Sequence, residues 1–430
     1  MLVNYRLVRK YFLVFIILGF VGLEGQSQIA INSPYSRYGV GDMASRQVAY
    51  NFSMGGVAYA ISSPNHINPY NPASNHAFDS LSFIFSGGLV TRLGQLKTDD
   101  FSSDAEYITL GYLLFGFPIT KRLKTTLGIV PYSNVGYNMV DEQDLEDIGP
   151  TDFYYQGSGG LNEFYINASI ELHKNLAIGI KASYLFGKNN MARFITFPDS
   201  AYMLNTSVDS YTEVGDIFFE FGVQYNKEIG RKLTLGLGAV YLPKQQIKAT
   251  NSFLVRNYFG SNSGVGLYRD TVASQLKYEG NITIPDKFGF GVMLRKSNSW
   301  MVAADYEFQK WSEFEIFGIA DSLQNSMQFS LGGEYLPNPI GIVSYFNRVK
   351  YRLGFRYNRS YLYLRDIQIN EFGISFGLGL PLPRSYSTVN LGFEIGRRGT
   401  TAHGLIQENF FKFTLGVAIR ETWFVKRRYN

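Results

Sequence analysis

The 430-residue chain contains no cysteine. That excludes a disulfide framework, thiolate zinc sites, a cysteine nucleophile and an acylated N-terminal cysteine. Four histidines leave little material for a histidine metal cluster. Charge is thin: 17% of residues are charged, against about a quarter in an ordinary soluble domain. The 40 basic and 35 acidic residues leave a net charge of +5, too weak and too mixed for a nucleic-acid footprint. Beyond the N-terminus no run approaches the ~18 apolar residues of a spanning helix, so the mature chain is expected to have none. What is abundant is glycine, with 44 residues, and aromatics, with 35 Phe and 31 Tyr.

The N-terminus carries Arg6, Arg9 and Lys10 ahead of an apolar run from Tyr11 to Leu23, then the small residues Gly25 and Ser27. These are the three parts of a secretory signal, with cleavage expected after Ser27 or Gln28. A retained signal anchor is the alternative, but the run is shorter than the ~20 residues needed to span.

From Leu81 onward the apolar pattern has period two. In the last strand Phe411, Phe413, Leu415, Val417 and Ile419 share one face, and Lys412, Thr414, Gly416, Ala418 and Arg420 the other. An unbroken aromatic-rich face opposed to glycine and charge predicts strands with lipid outside and a polar or plugged lumen. Backbone groups cannot stay unpaired in lipid, so such a sheet must close. Fourteen strands are expected over 81–430, the eighth (273–295) carrying Pro285 in its middle. The expected fold class is therefore all-β: a 14-stranded antiparallel transmembrane β-barrel. Short connections such as 173–175 are assigned to the periplasmic side. Long ones at 92–105, 139–160, 189–211, 248–272 and 312–325 are assigned outside.

Residues 28–80 show no strand period and are rich in Pro, Gly, Ser and Asn, as irregular backbone is. They hold Tyr35, Tyr38, Tyr50, Met54 and Tyr70, which need something to pack against. Irregular backbone is tolerated at membrane depth where protein buries it, so this segment is expected to plug the lumen as a hatch.

Within it, Met54-Gly55-Gly56-Val57-Ala58-Tyr59-Ala60 followed by Asn71-Pro72-Ala73 resembles the hatch of the FadL-type long-chain fatty acid transporters. Gly157-Ser158-Gly159-Gly160-Leu161-Asn162 and Ile284-Pro285-Asp286 fit the same family. The stretch Ser33–Gly39 and the end Trp423–Arg428 look like its Bacteroidetes-type version. The resemblance covers nearly the whole mature chain, as short motifs between divergent loops. It implies uptake of hydrophobic, fatty-acid-like molecules, a gating hatch (Gly55, Gly56, Asn71, Pro72, Ala73) and lateral release at a kinked third strand. The counterpart of that kink is Pro131, Ser133, Asn134 and Gly136. Proline removes a ladder bond, so a gap in the wall and a plain bulge both fit.

By alternation Leu113, Phe115, Phe117, Val130, Phe218, Val240 and Met293 are expected to face inward, either as an apolar path or as packing for the hatch. Inward charges of both signs (Lys181, Glu220, Asp305, Glu307, Glu334, Lys350, Arg352, Arg356, Glu394 and Lys412) suit paired contacts to a plug rather than an open eyelet.

Catalysis is not expected. His66 and His76 fall in the hatch and His173 and His403 in connections, none on a strand beside a serine. The acidic runs Asp99, Asp100, Asp104 and Asp141–Asp147 lack calcium-loop spacing, and no metal or cofactor is expected. Trp300, Trp311, Trp423, Phe424 and Tyr429 suit interfacial girdles, the terminal ones also a signal to the barrel assembly machinery. Two functional readings stand: a Gram-negative outer-membrane channel for hydrophobic small molecules, or a scaffold or shuttle subunit of a secretion or outer-membrane assembly complex. In the second, a protein partner would bind the outer loops.

Overall fold

A computed structural model describes residues 33–44, 46–200, 202–230, 232–260, 267–297, 299–338 and 344–422. The expected signal peptide (1–27), hatch residues 28–32, and Trp423, Phe424 and Tyr429 lie outside the described residues.

Fourteen antiparallel strands, neighbours in sequence order, close into one barrel. They are β1 Ser82–Lys97, β2 Ser102–Pro118, β3 Leu123–Leu145, β4 Gly149–His173, β5 Leu176–Thr196 and β6 Asn205–Gly230. Next comes β7, in two pieces, Leu233–Leu242 and Gln245–Phe259, then β8, also in two, Leu267–Ile284 and Lys287–Lys296. The circuit is completed by β9 Trp300–Gln309, β10 Ser326–Tyr335, β11 Lys350–Leu364, β12 Ile367–Pro381, β13 Thr388–Arg398 and β14 Gln407–Thr422. β14 pairs with β1 from Gln407↔Lys97 to Thr422↔Ser82, which removes the free edge that lipid would not tolerate.

The alternation decides which face meets lipid. On β14, Phe411, Leu415 and Ile419 are exposed while Lys412, Thr414 and Ala418 are buried inside. Where β7 and β8 break, at Pro243-Lys244 and Pro285-Asp286, side chains complete the ladder. Gln245 accepts from Phe219 N (2.8 Å) and donates to Phe219 O (3.0 Å), and Asp286 accepts from Lys244 N (2.9 Å). Proline has no N–H, so both breaks fall where the ladder loses a donor.

The expected long outer loops are largely hairpins instead. β1–β2, β3–β4 and β5–β6 turn only at 98–101, 146–148 and 197–204, and β7 and β8 stay paired out to Phe259↔Leu267. Beyond the bilayer both faces of these ribbons meet water, so the apolar–polar alternation that marks a spanning strand is lost there although the pairing continues.

Residues 33–44 and 46–78 fill the barrel. They begin with a 3₁₀ turn, Pro34–Arg37, capped by Ser33, and a two-residue strand, Asp42–Met43. A helical turn, Ala49–Phe52, and a second 3₁₀ turn, Pro72–Ala77, follow. Val48, Tyr50, Met54, Val57, Ile61 and Ile67 of this segment pack with Ile84, Leu114, Tyr165, Met293 and Met301 of the wall in one apolar cluster.

Candidate functional site

The hatch lies with its backbone directly on the wall, which glycine makes room for. A Cβ on Gly354 of β11 would fall 2.0 Å from Gly55 N, and one on Gly332 of β10 would fall 2.1 Å from Met54 O. Gly55 itself has φ +68°, and its own Cβ would lie 2.7 Å from Phe355 O, so both conformation and space demand glycine. Gly56 turns the chain back, its carbonyl accepting from Arg46 Nη1 at 2.6 Å.

Asn71-Pro72-Ala73 forms a second seat. Asn71 Nδ2 donates to Tyr59 O (2.6 Å) and Val223 O (3.2 Å), and its Oδ1 caps the following turn by accepting from Ala73 N (2.9 Å). Pro72 rests on Gly179 of β5 and Gly222 of β6, where an added Cβ would come within 2.3 Å and 2.7 Å of it.

Ion pairs fix the hatch from two sides. Arg46 donates to Asp305 (2.7 Å) and Glu307 (2.9 Å) on β9, and lies 4.1 Å over the Tyr59 ring. The same Asp305 oxygen accepts from Ala58 N (2.7 Å) and Tyr59 N (3.0 Å). Opposite, Asp42 meets Arg398 at 2.8 Å and Arg92 at 3.7 Å, and Ser33 hydrogen-bonds Glu408, which also holds Arg92 at 2.7 Å.

The wall adds its own pairs. Lys181 and Lys287 close on Glu220 at 2.6 and 2.7 Å, with Glu163 at 3.1 Å from Lys181. Arg356 holds Glu371 (2.6 Å) and Glu394 (2.9 Å), Lys412 lies 3.6 Å from both, and Lys350 and Arg352 share Glu334. These pairs join nine cations to nine anions, so charge cancels within this network. Between hatch and wall remains a cavity of about 230 Å³, bordered by Arg46, Lys181, Glu220, Arg356 and Glu371 as well as Val130, Phe218 and Trp311.

His66 belongs to this interior. It stacks on Tyr50 with ring centroids 4.3 Å apart, and burial beside Lys350 and Arg352 holds its pKa well below the usual histidine value.

At the third strand the wall parts. β2 and β3 pair only from Pro118↔Lys124 to Leu113↔Ile129. Above that, Tyr132 is extruded in a bulge between Pro131↔Asn162 and Ser133↔Leu161 on the β4 side. The freed edge of β3 is taken by the hatch. Asp42↔Asn134 and Met43↔Ser133 pair, Ala44 N donates to Tyr132 O (2.9 Å), and Ser33 N donates to Gly136 O (3.1 Å). Gly136 N donates to Ser36 Oγ (3.1 Å), and Ser133 Oγ to Val40 O (2.8 Å). The four residues of the expected kink thus lie together at this seam, three of them bonded to the hatch.

Of the expected apolar path, Val130, Phe218, Val240 and Met293 face inward, Val130 and Phe218 on the cavity and Met293 against the hatch. Leu113, Phe115 and Phe117 do not. They lie on the outer face, Phe115 beside Phe85 with ring centroids 5.2 Å apart. The reason is a bulge at Gly111: Leu89 pairs with Leu110 but Gly88 with Tyr112, so the parity flips along β2. Ile108 and Leu110 point out before it, and Leu113 and Phe115 after it. The inward residues are Tyr112, Leu114 and Gly116, the last making room for Phe78 and Ile67. Every expected inward charge does face the lumen.

Sequence reading missed Asp42, Arg46, Arg92, Glu163, Lys287, Glu371, Arg398 and Glu408. Alternation along their strands carries the signal for Arg92, Glu371, Arg398 and Glu408; nothing periodic marks Asp42 and Arg46. Among the described residues no group of three His, Asp or Glu is arranged to hold a metal ion.

The fourteen-strand antiparallel barrel has the fold of the FadL-type outer-membrane proteins. Similar solved structures include the CymD monoaromatic hydrocarbon channel, at 12% identity over 91% of this chain and 100% of that one, with a TM-score of 0.58. The toluene transporter TbuX of Ralstonia pickettii is 14% identical over 92% and 99%, with a TM-score of 0.57. A Pseudomonas aeruginosa FadL homologue is 11% identical over 88% and 98%, with a TM-score of 0.54. At these identities the likeness establishes the fold. The chain belongs to the BamG family, whose sequence profile matches residues 7–430. Comparison with curated proteins gave no match.

Proposed function

We propose that this chain is a non-enzymatic scaffold subunit of an outer-membrane protein assembly complex, built on a transporter-type barrel whose lumen is closed. The observation that carries this is the paired ion network of the interior: nine cations and nine anions joined among hatch and wall, around a cavity of about 230 Å³. A path for a hydrophobic molecule needs apolar lining, and desolvating such an ion network against a greasy ligand costs several kcal/mol per ion. Membership of the BamG family supports the link to barrel assembly. The outer hairpins would carry the protein contacts. Leu267, Val272 and Leu276 of β8 stand exposed there, beyond the lipid-facing belt.

A second reading is favoured by one observation, the parting of β2 from β3 above Ile129. In it the barrel takes up hydrophobic, fatty-acid-like molecules past a hatch that moves, along Val130 and Phe218, and releases them sideways at Pro131–Gly136. The aromatic-hydrocarbon and toluene channels of the same fold lend it support.

The deciding experiment is gentle isolation from native membranes with mass spectrometry of co-purifying proteins and extractable lipids. A stoichiometric protein partner with an empty lumen is expected. An enriched hydrophobic molecule in the lumen without any stoichiometric protein would overturn the scaffold reading.

A further inference from the structure

The strand ends that carry the short turns are tied into one rim. Glu171 N donates to Arg122 O (3.1 Å), Asn226 N to Asn175 O (2.8 Å), Ser297 N to Lys232 O (2.8 Å) and Leu336 N to Ser299 O (2.7 Å), so each turn is bonded to the next. Tyr345 Oη donates to Pro381 O (3.2 Å) and Arg420 N to Ser387 Oγ (3.1 Å), which carries the rim on to β14. At this one level every turn exposes a base: Lys121, Lys174, Lys232, Lys296, Arg348 and Arg384. Among the described residues the acids of the rim are Asp79, which Arg420 already holds, and Glu171, Glu228 and Glu421. The opposite end has the other sign, since the β3–β4 hairpin holds Asp141, Glu142, Asp144, Glu146, Asp147 and Asp152 and no base.

The lipid-facing columns run down to these bases without a break. On β2 the outward Phe115 and Phe117 continue into exposed Ile119, two residues before Lys121. On β4 exposed Ile166, Ile170 and Leu172 lead to Lys174, and on β8 exposed Phe290 and Val292 lead to Lys296. On β6 exposed Phe221 and Val223 lead to Lys227, with Ile229 exposed beyond it. Apolar side chains this close to the bases put the rim at the face of the bilayer. There a long basic side chain keeps its stem along hydrocarbon and its charge among phosphates.

We propose that this rim binds the headgroups of anionic phospholipids in the periplasmic leaflet. Short turns mark the periplasmic side of such barrels, and that leaflet of an outer membrane is the phospholipid one. The bases are spread round the circumference rather than gathered on one flank, which suits the lipid that surrounds the barrel and not a single soluble partner. Their excess over the acids selects for headgroup charge. A phosphate diester with no amine meets the bases as an opposite charge, whereas the ammonium of a zwitterionic headgroup is repelled by them. The rim is independent of what the lumen does, so it serves either functional reading.

Native mass spectrometry of the full chain, purified with equal phosphatidylglycerol and phosphatidylethanolamine, tests this by the lipid retained. Phosphatidylglycerol is expected in excess, and the excess should shrink as salt is raised. Lys121→Glu and Lys174→Glu, on two turns joined through Glu171 and Arg122, should each lower it by about fivefold, the upper range for an exposed charge. Lys97→Glu makes the same charge change at the outer end of β1 and should leave the excess as it was. All three lysines are exposed, and heat-modifiable gel migration verifies that the variant barrels are folded. Equal retention of the two lipids by the unaltered protein would overturn the assignment. So would an unchanged excess in the folded Lys121→Glu and Lys174→Glu variants, or an equal loss in Lys97→Glu.

Discussion

Asp42 of the hatch and Arg398 of β13 are 356 residues apart in sequence and 2.8 Å apart in space. With Arg92 at 3.7 Å from the same carboxylate, the pair ties the two-residue hatch strand to β13 and β1, while its backbone pairs with β3. Asp42→Asn leaves Arg398 with Glu371, at 4.0 Å, as its nearest remaining carboxylate. Breaking a buried pair from one side costs about 3–5 kcal/mol, and the remaining carboxylate should keep this case near the lower end. Hydrogen exchange of residues 33–44 should accelerate accordingly while the barrel strands stay protected.

Gly354 makes a sharper test of the hatch seat, because a Cβ there collides with backbone rather than with a side chain that can move. Gly354→Val should lift the Gly55 turn off the wall. The barrel should still fold and show heat-modifiable migration, and planar bilayers should record ion conductance. Removing residues 29–76 provides the open reference. A closed barrel after that deletion would rule out the N-terminal segment as the plug.

His66 gives the hatch a pH dependence of known sign. Its pKa in the folded protein is held well below 6.5, so the native state carries fewer protons at this site than the unfolded chain in that range. Stability then rises with pH there, is complete above 6.5, and is lost as pH falls towards the depressed value. Hatch protection measured by limited proteolysis should be the same at pH 8 and 7 and should weaken at pH 5. His66→Gln should flatten that difference, and an unchanged profile would assign the dependence elsewhere.

The seam at the third strand separates the two functional readings genetically. Pro131→Val with Gly136→Val restores a ladder donor and adds bulk where the hatch crosses β3. If hydrophobic molecules leave there, uptake by cells carrying the double variant should cease. If the barrel is a scaffold, assembly of its complex should persist, because the outer hairpins are untouched.

Much of this was legible because a lipid-facing strand writes its geometry as a two-residue period. The alternation marks β14 and β11 residue by residue and assigns every one of the ten expected lumen charges. It failed at Gly111, where one extra residue flips Leu113, Phe115 and Phe117 to the outside. A bulge leaves no mark in hydropathy when apolar residues stand on both sides of it. It failed again beyond the bilayer, where paired ribbons wet on both faces look like loops. The hatch glycines were legible by resemblance, whereas Asp42 and Arg46 lie in irregular backbone, which has no period to read.

The sequence by itself determined a barrel of fourteen strands, a buried N-terminal segment and a two-signed lumen, because burial, closure and side-chain alternation are local consequences of a strand in lipid. The tertiary structure alone decided that β3 leaves β2 above Ile129 and takes the hatch as its neighbour. It alone also decided that the lumen charges cancel in pairs and that hatch backbone rests on Gly354 and Gly179. Those outcomes depend on register and on contacts between residues hundreds of positions apart, where a shift of one residue exchanges the two faces of a strand.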